Sequence, residues 1–413
     1  MKTFLLISLA LLAMSVNLSV AAAHSASVLV LVLALYHLIK TKTSLKTLKI
    51  GYEWYFLAFV GSCLLSVLVN YQLFPEIFKS FLQIRWIIVF YATFYLLSLC
   101  SQSEFEKIVR IFMLVLALAG LYAFFQYMTG IEVLRPHRSL EMPRPAFQLR
   151  FRAIGFFNNP MTFGHSMALA FPMAFAYFVY SLKKQKNKLP FAILLVLGIG
   201  IGLFSSLTRG AYIGAFAGLL LTTFLIKKRL VLLPVFGLLA VIGIAFLTNS
   251  EFFVRIHTIF QKTNSLLSRL EIWSAYFEMF KDHPIFGIGL DMGYKFLPHY
   301  YELIGGKDNQ IGHAHNTYLQ FLATGGILCF LSFIAMNIKF LQSTIKGYHP
   351  KNLQQYLLVG VAGSIGAFLV GGLTECNYID SEVRFNYIFY LAIAATIIHK
   401  MQRGKNESNS NIL

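Results

Sequence analysis

The sequence predicts an all-α polytopic membrane protein with about twelve transmembrane helices and a large, partly helical outer loop. Three observations carry that prediction. Apolar runs of membrane-spanning length recur along the 413 residues. Hydrophobic residues make up 57% of the chain and charged residues 13%, with a mean hydropathy of +0.66, a balance that excludes a soluble protein with a large core. Basic clusters fall between the apolar runs where alternate crossings would return the chain to one side.

Residues 1–23 hold one lysine, an apolar stretch and then Ala21-Ala22-Ala23, the outline of a signal peptide. Because further apolar runs follow at once, they read as an uncleaved first span. A short second span over 25–38 leads into the basic segment KTKTSLKTLK. Further spans are expected over 52–69, 80–99, 109–128, 161–181, 190–207, 211–226, 230–247, 315–338, 355–374 and 385–399. Alternating sides puts Lys183-Lys184-Gln185-Lys186, Lys227-Lys228-Arg229, 346–351 and 400–405 on the cytoplasmic face with the N-terminus. The chain thus divides into helices 1–9 (1–248), an outer loop (249–313), helices 10–12 (314–400) and a cytoplasmic tail (401–413). The tail, ending GKNESNSNIL, is expected to be disordered.

Lysine and arginine total 35 against 17 acids, a net charge of +18. Part of this excess is topological. Residues 129–155, however, carry Arg135, Arg138, Arg144, Arg150 and Arg152 on the non-cytoplasmic side, against the usual bias, and point to an anionic ligand. The four cysteines have neither CxxC nor zinc spacing and argue against a disulfide framework. Gly210, Gly214 and Gly218 line one helix face, and Gly360, Gly363 and Gly366 do something similar later, as close helix packing in lipid requires.

The stretch Gly312 to Gly326, GHAHNTYLQFLATGG, closes the outer loop and opens a hydrophobic helix with His315 at the seam. An imidazole there suits proton transfer, since its unperturbed pKa lies near neutrality. Arg85, Arg152, Arg209 and Arg269 are placed on the same side by this topology. Arginine in or beside hydrocarbon is costly and usually meets an anion. Few acids are available as partners, and the guanidinium fork matches phosphate, so a diphosphate at the membrane surface is the expected ligand. No DxD, HExxH or tight carboxylate cluster appears in the outer loops, so no metal is expected. Glu375, Asp380 and Glu382, in TECNYIDSEVR, could orient a sugar, but pairing with Arg384 is the favoured reading.

These residues resemble the bacterial O-antigen ligase and polymerase superfamily of GT-C-type membrane glycosyltransferases. The resemblance covers most of the chain and is strongest from about Arg152 to Phe330, in RAIGFFNNPMTFGH, SSLTRGAYIGAFAG, SRLEIWSAYFEMFKDHPIFGIGLDMG and HAHNTYLQFLATGG. The ligase signature reads here as His315, Asn316, Gly326 and then Cys329, where the pattern has Gly, Thr or Tyr. Thr324 stands where many relatives carry an acid. The resemblance implies metal-independent, inverting transfer of an undecaprenyl-diphosphate-linked glycan on the periplasmic side of the bacterial inner membrane. The acceptor would be lipid A–core oligosaccharide, or another lipid-linked repeat in a polymerase. His315 would be the general base. Arg209, Arg152 and Arg269, assisted by Arg85, would hold the diphosphate, and Asn316 and His313 would add weaker substrate contacts. Neither a cofactor nor a nucleic-acid partner is expected. A competing reading, a lipid-linked oligosaccharide flippase, predicts cationic groups at midplane depth and an internal repeat, and neither is visible in the sequence.

Overall fold

The long apolar runs all form α-helix in the computed structural model, which describes residues 2–44, 48–140, 151–247, 264–306, 312–346, 348 and 352–410. No strand forms among these residues, as expected where backbone groups must be satisfied within each segment in lipid. The helices are α1 (Lys2–Ser15), α2 (Val20–Lys40), α3 (Glu53–Asn70), α4 (Ile77–Phe81), α5 (Trp86–Leu99), α6 (Gln102–Thr129), α7 (Pro160–Lys184), α8 (Leu189–Ser205) and α9 (Arg209–Ile226). They continue with α10 (Leu232–Leu247), α11 (Asn264–Asp282), α12 (Gly293–Leu303), α13 (Thr317–Lys346), α14 (Leu353–Gly371) and α15 (Ser381–Ser410).

Among the described residues, nine helical segments are long and apolar enough to cross a membrane: α2, α3, α4 joined to α5, α6, α7, α8, α9, α13 and α14. Three of the expected spans fall on other helices. α1 has 14 residues and α10 has 16, short of the roughly 20 that a perpendicular crossing takes. α15 is long but polar towards its ends, and its apolar stretch over 385–399 is mostly buried against α5, α7 and α14. Arg144, Arg150 and residues 249–263 of the expected outer loop lie outside the described residues. The tail expected to be disordered is instead helical through Ser410. With no proline to stop it, an established helix gains one hydrogen bond for each residue added.

The two small-residue faces meet each other. A Cβ on Gly218 would lie 2.5 Å from the Gly363 carbonyl oxygen, and one on Gly214 would lie 2.8 Å from that of Ala367. α9 and α14 therefore pack backbone to backbone, the contact that glycine permits in lipid. α14 is also pinned to α7, where the Ser364 hydroxyl donates to the Leu169 carbonyl at 2.6 Å.

α13 is broken near its start. Gly326 has φ 75° and ψ −179°, a conformation essentially confined to glycine. The segment HPIFGIG, which follows α11, threads into this break. The Ile288 and Gly289 amides donate to the Ala323 and Thr324 carbonyls at 3.0 and 3.1 Å, and the Ile327 amide donates to Pro284 at 2.9 Å. A Cβ at Gly326 would come within 2.1 Å of the Ile285 carbonyl oxygen. The outer module of α11 and α12 is stitched by its main chain into the head of a membrane helix.

Candidate active site

His315 is held by two strips of irregular chain that lie side by side. The Thr317 amide donates to the Gly372 carbonyl at 2.8 Å, and its hydroxyl donates to the Glu375 carbonyl at 3.1 Å. The Asn316 amide group donates to Leu373 at 3.1 Å. Its carbonyl oxygen accepts from the Tyr318 and Leu319 amides, each at 3.0 Å, which caps α13. Asn316, expected as a weak substrate contact, has its side chain committed to the backbone. His315 precedes the helix and has φ +46°, a conformation uncommon outside glycine and one worth its strain at functional sites.

That strip places the His315 imidazole against Glu375. Nδ1 lies 3.0 Å from Oε1 and 3.2 Å from Oε2, and the carboxylate is almost wholly buried. Burial alone would raise the Glu375 carboxyl. The hydrogen bond from His315 and the electrostatic pull of the His315, His313 and His165 rings together outweigh it and hold the pKa at about 2. An ionised Glu375 accepts from Nδ1–H and leaves Nε2 with the lone pair. His313 lies alongside, its ring 4.3 Å from that of His315 and its Nε2 3.7 Å from Glu375 Oε1. Burial draws the His313 pKa down, against the opposing pull of Glu375.

The pairing of Glu375 with Arg384 expected from sequence does not form. Arg384 instead reaches Ser381 and lies 5.6 Å over the Tyr378 ring, while Asp380 accepts from the Thr162 hydroxyl at 3.0 Å. Glu375 takes a different arginine, Arg269, whose Nη2 is 3.9 Å from Oε2 and whose Nη1 donates to the Thr374 carbonyl at 2.9 Å. One face of α11 grips the whole strip. Arg269, Trp273 and Tyr276 are spaced by four and three residues. Trp273 donates to Ala314 and Tyr276 to Gly312, both at 2.9 Å.

Arg209 opens α9, and its charged neighbours are Arg269 and Arg152. Arg152 reaches the Thr208 hydroxyl at 3.4 Å. At Gly210, a Cβ would lie 2.2 Å from Thr374 Oγ1, so α9 begins hard against the Thr374–Glu375 strip. Three of the four expected arginines are thus gathered near His315. Arg85 is not among them. It lines a separate groove with Arg384 and His24, because the short helical turn Leu82–Arg85 turns it towards α2 and α15. His165, which closes the RAIGFFNNPMTFGH motif but was not singled out by the sequence, is buried in α7 beside Gly371 at the end of α14.

The donor atoms of His313, His315 and Glu375 lie within 4.8 Å of one another, a set able to ligate a cation and one that sequence spacing did not disclose. Arg269 already supplies positive charge at that carboxylate. The arrangement sets an imidazole, oriented by a carboxylate, near three guanidiniums.

Residues 192–334 match the family model described as O-antigen ligase, which bears out the resemblance to the O-antigen ligase and polymerase superfamily. The matched stretch contains Arg209, Arg269 and His315 and ends before Glu375. No protein of curated function matches the chain.

Proposed function

We propose, for a multi-pass membrane protein similar to O-antigen ligases over residues 192–334, that it transfers a glycan from undecaprenyl diphosphate to lipid A–core oligosaccharide. The observation that supports this most is the His315–Glu375 pair standing beside Arg152, Arg209 and Arg269. In this reading His315 Nε2 takes the proton of the acceptor hydroxyl while the oxygen attacks the anomeric carbon. Glu375 fixes the ring and stabilises the imidazolium that forms. The anomeric C–O bond to the diphosphate breaks on the opposite face, its electron pair leaves with the phosphate, and the configuration inverts. The arginines stabilise the negative charge that develops there, without need of a metal. Their grouping at one end of the helices, where α7, α9, α13 and α15 all begin, favours chemistry at the periplasmic surface of the inner membrane over passage through it.

The test is the lipopolysaccharide ladder of a deletion strain. Loss of all long chains with lipid-linked polymer accumulating supports the ligase. Core carrying a single repeat instead assigns the same chemistry to a polymerase. Lipid-linked glycan trapped on the cytoplasmic face overturns both in favour of a flippase.

A further inference from the structure

His313 and His315 stand on either side of a clamped residue. The Ala314 amide donates to Gln320 Oε1 at 2.9 Å, and its carbonyl accepts from Trp273 at 2.9 Å. With His315 at φ +46°, both rings come out beside the Glu375 carboxylate, their centroids 4.3 Å apart. Glu375 Oε1 faces both, 3.0 Å from His315 Nδ1 and 3.7 Å from His313 Nε2. The Cys376 amide donates to that oxygen at 3.1 Å and fixes it. Oε2 lies 3.9 Å from Arg269.

Two imidazoles and one carboxylate are a donor set that zinc takes in three-ligand sites, with water in the fourth position. A tetrahedral ion with bonds of about 2.0–2.1 Å holds its ligand atoms about 3.3 Å apart, and the two separations to Oε1 bracket that figure. All three donor atoms lie within 4.8 Å of one another, so small ring rotations complete the set. The His313 side chain is 37% exposed against 6% for Glu375, so an ion enters past His313. Two features hold the affinity down and keep binding reversible. The Arg269 charge beside Oε2 opposes a dication. His313 must also give up the bond that its Nδ1 accepts from the His315 amide at 3.2 Å, because a neutral ring that ligates through Nε2 carries its proton on Nδ1.

We propose that His313, His315 and Glu375 form an inhibitory site for a transition-metal ion of the zinc class, which switches His315 off. An ion on Nδ1 takes the lone pair there, and the proton of the neutral ring moves to Nε2 through solvent, with none released. Nε2 is then a donor and no longer accepts the proton of a hydroxyl. Magnesium and calcium prefer oxygen ligands and do not suit the paired imidazoles. The inhibition rests on the glycosyl-transfer reading, whereas binding of the ion does not.

Cobalt(II) and zinc are the probes, added to the full chain in detergent after stripping with EDTA. Cobalt in a four-coordinate nitrogen–oxygen site absorbs visible light far more strongly than the aqua ion. Stoichiometric cobalt should give that band, which zinc should bleach and magnesium should not. His313→Ala and Glu375→Gln should each weaken cobalt by about tenfold or more. Arg269→Gln should tighten it, a gain that a damaged fold does not produce. Wild-type transfer should fall by roughly tenfold or more in saturating zinc and recover in EDTA, and His313→Ala should need correspondingly more zinc for the same loss. No band in the wild type, or wild-type affinity in both His313→Ala and Glu375→Gln, overturns the site. Zinc bound as expected with undiminished transfer overturns the inhibition and takes the base role from His315. A chain that binds zinc as expected and transfers no glycan in EDTA would remove the enzymatic reading and leave the ion site standing.

Discussion

His315 Nδ1 and the Glu375 carboxylate lie 3.0 Å apart although 60 positions separate them in the chain. One irregular strip carries the imidazole, another carries the acid, and the backbone bond from the Thr317 amide to the Gly372 carbonyl sets their register. If Glu375 orients the base, Glu375→Gln should slow single-turnover transfer by roughly a hundredfold or more, close to the loss for His315→Ala. The double variant should lose little beyond either single change, because the two act as one unit. Additive losses would separate them.

Donor binding should depend on Arg209 and not on His315. Arg209→Ala should weaken the lipid diphosphate by about 1.5–3 kcal/mol, the scale of a charged hydrogen bond. Arg209→Lys should recover only part, since an ammonium keeps the charge without the fork. Affinity measured apart from turnover decides this, and unaltered binding in Arg209→Ala would move the diphosphate elsewhere.

Asp380 should give stability a pH slope of its own. Burial first, and the neighbouring Glu375 second, push its carboxyl up to about 7, so the folded protein keeps a proton that the unfolded chain releases near pH 4. More protons are bound in the folded state across that window, so this contribution falls as pH rises from about 4 to about 7 and is level above it. Thermal unfolding in detergent should show a flatter profile for Asp380→Asn over that range. An identical profile would mean that the group is ionised throughout.

A cysteine at position 281, on the exposed end of α11, should react with an impermeant maleimide in cells whose outer membrane is permeabilised. A cysteine at 186 should not. The native cysteines are all buried and keep the background low. The reverse pattern would invert the topology and place the arginines in the cytoplasm.

Transfer should survive excess EDTA, because guanidiniums already provide the positive charge that a metal would bring. Loss in EDTA, restored by zinc or manganese, would make His313, His315 and Glu375 a metal centre instead.

Much of this fold is legible in the sequence, because a bilayer imposes a length and a composition on whatever crosses it. The small faces of α9 and α14 were visible as spacing, although not as partners of each other. The site was half legible. Arg209 and His315 stand at the starts of apolar runs, where charge is conspicuous. Glu375 stands nine residues from an arginine that looked like its partner, and only the docking of two loops brings the more distant histidine closer. Arg85 failed for a related reason: linear topology assigns a side of the membrane, but the rotation of a helix about its axis decides which cavity a side chain lines.

The break at Gly326 has a consequence for how such a protein can diversify. At this break the outer module is joined to α13 mainly through main-chain amides and carbonyls. Apart from the glycines at the crossing and the Ser66 and Asn70 side chains that donate to Thr324 and Gly287, the joint prescribes little side-chain chemistry, and the exposed surface between Gly293 and Leu303 can be rewritten without loosening it. A new partner molecule could be accommodated there by point changes alone, with the His315–Glu375 pair beneath left as it was.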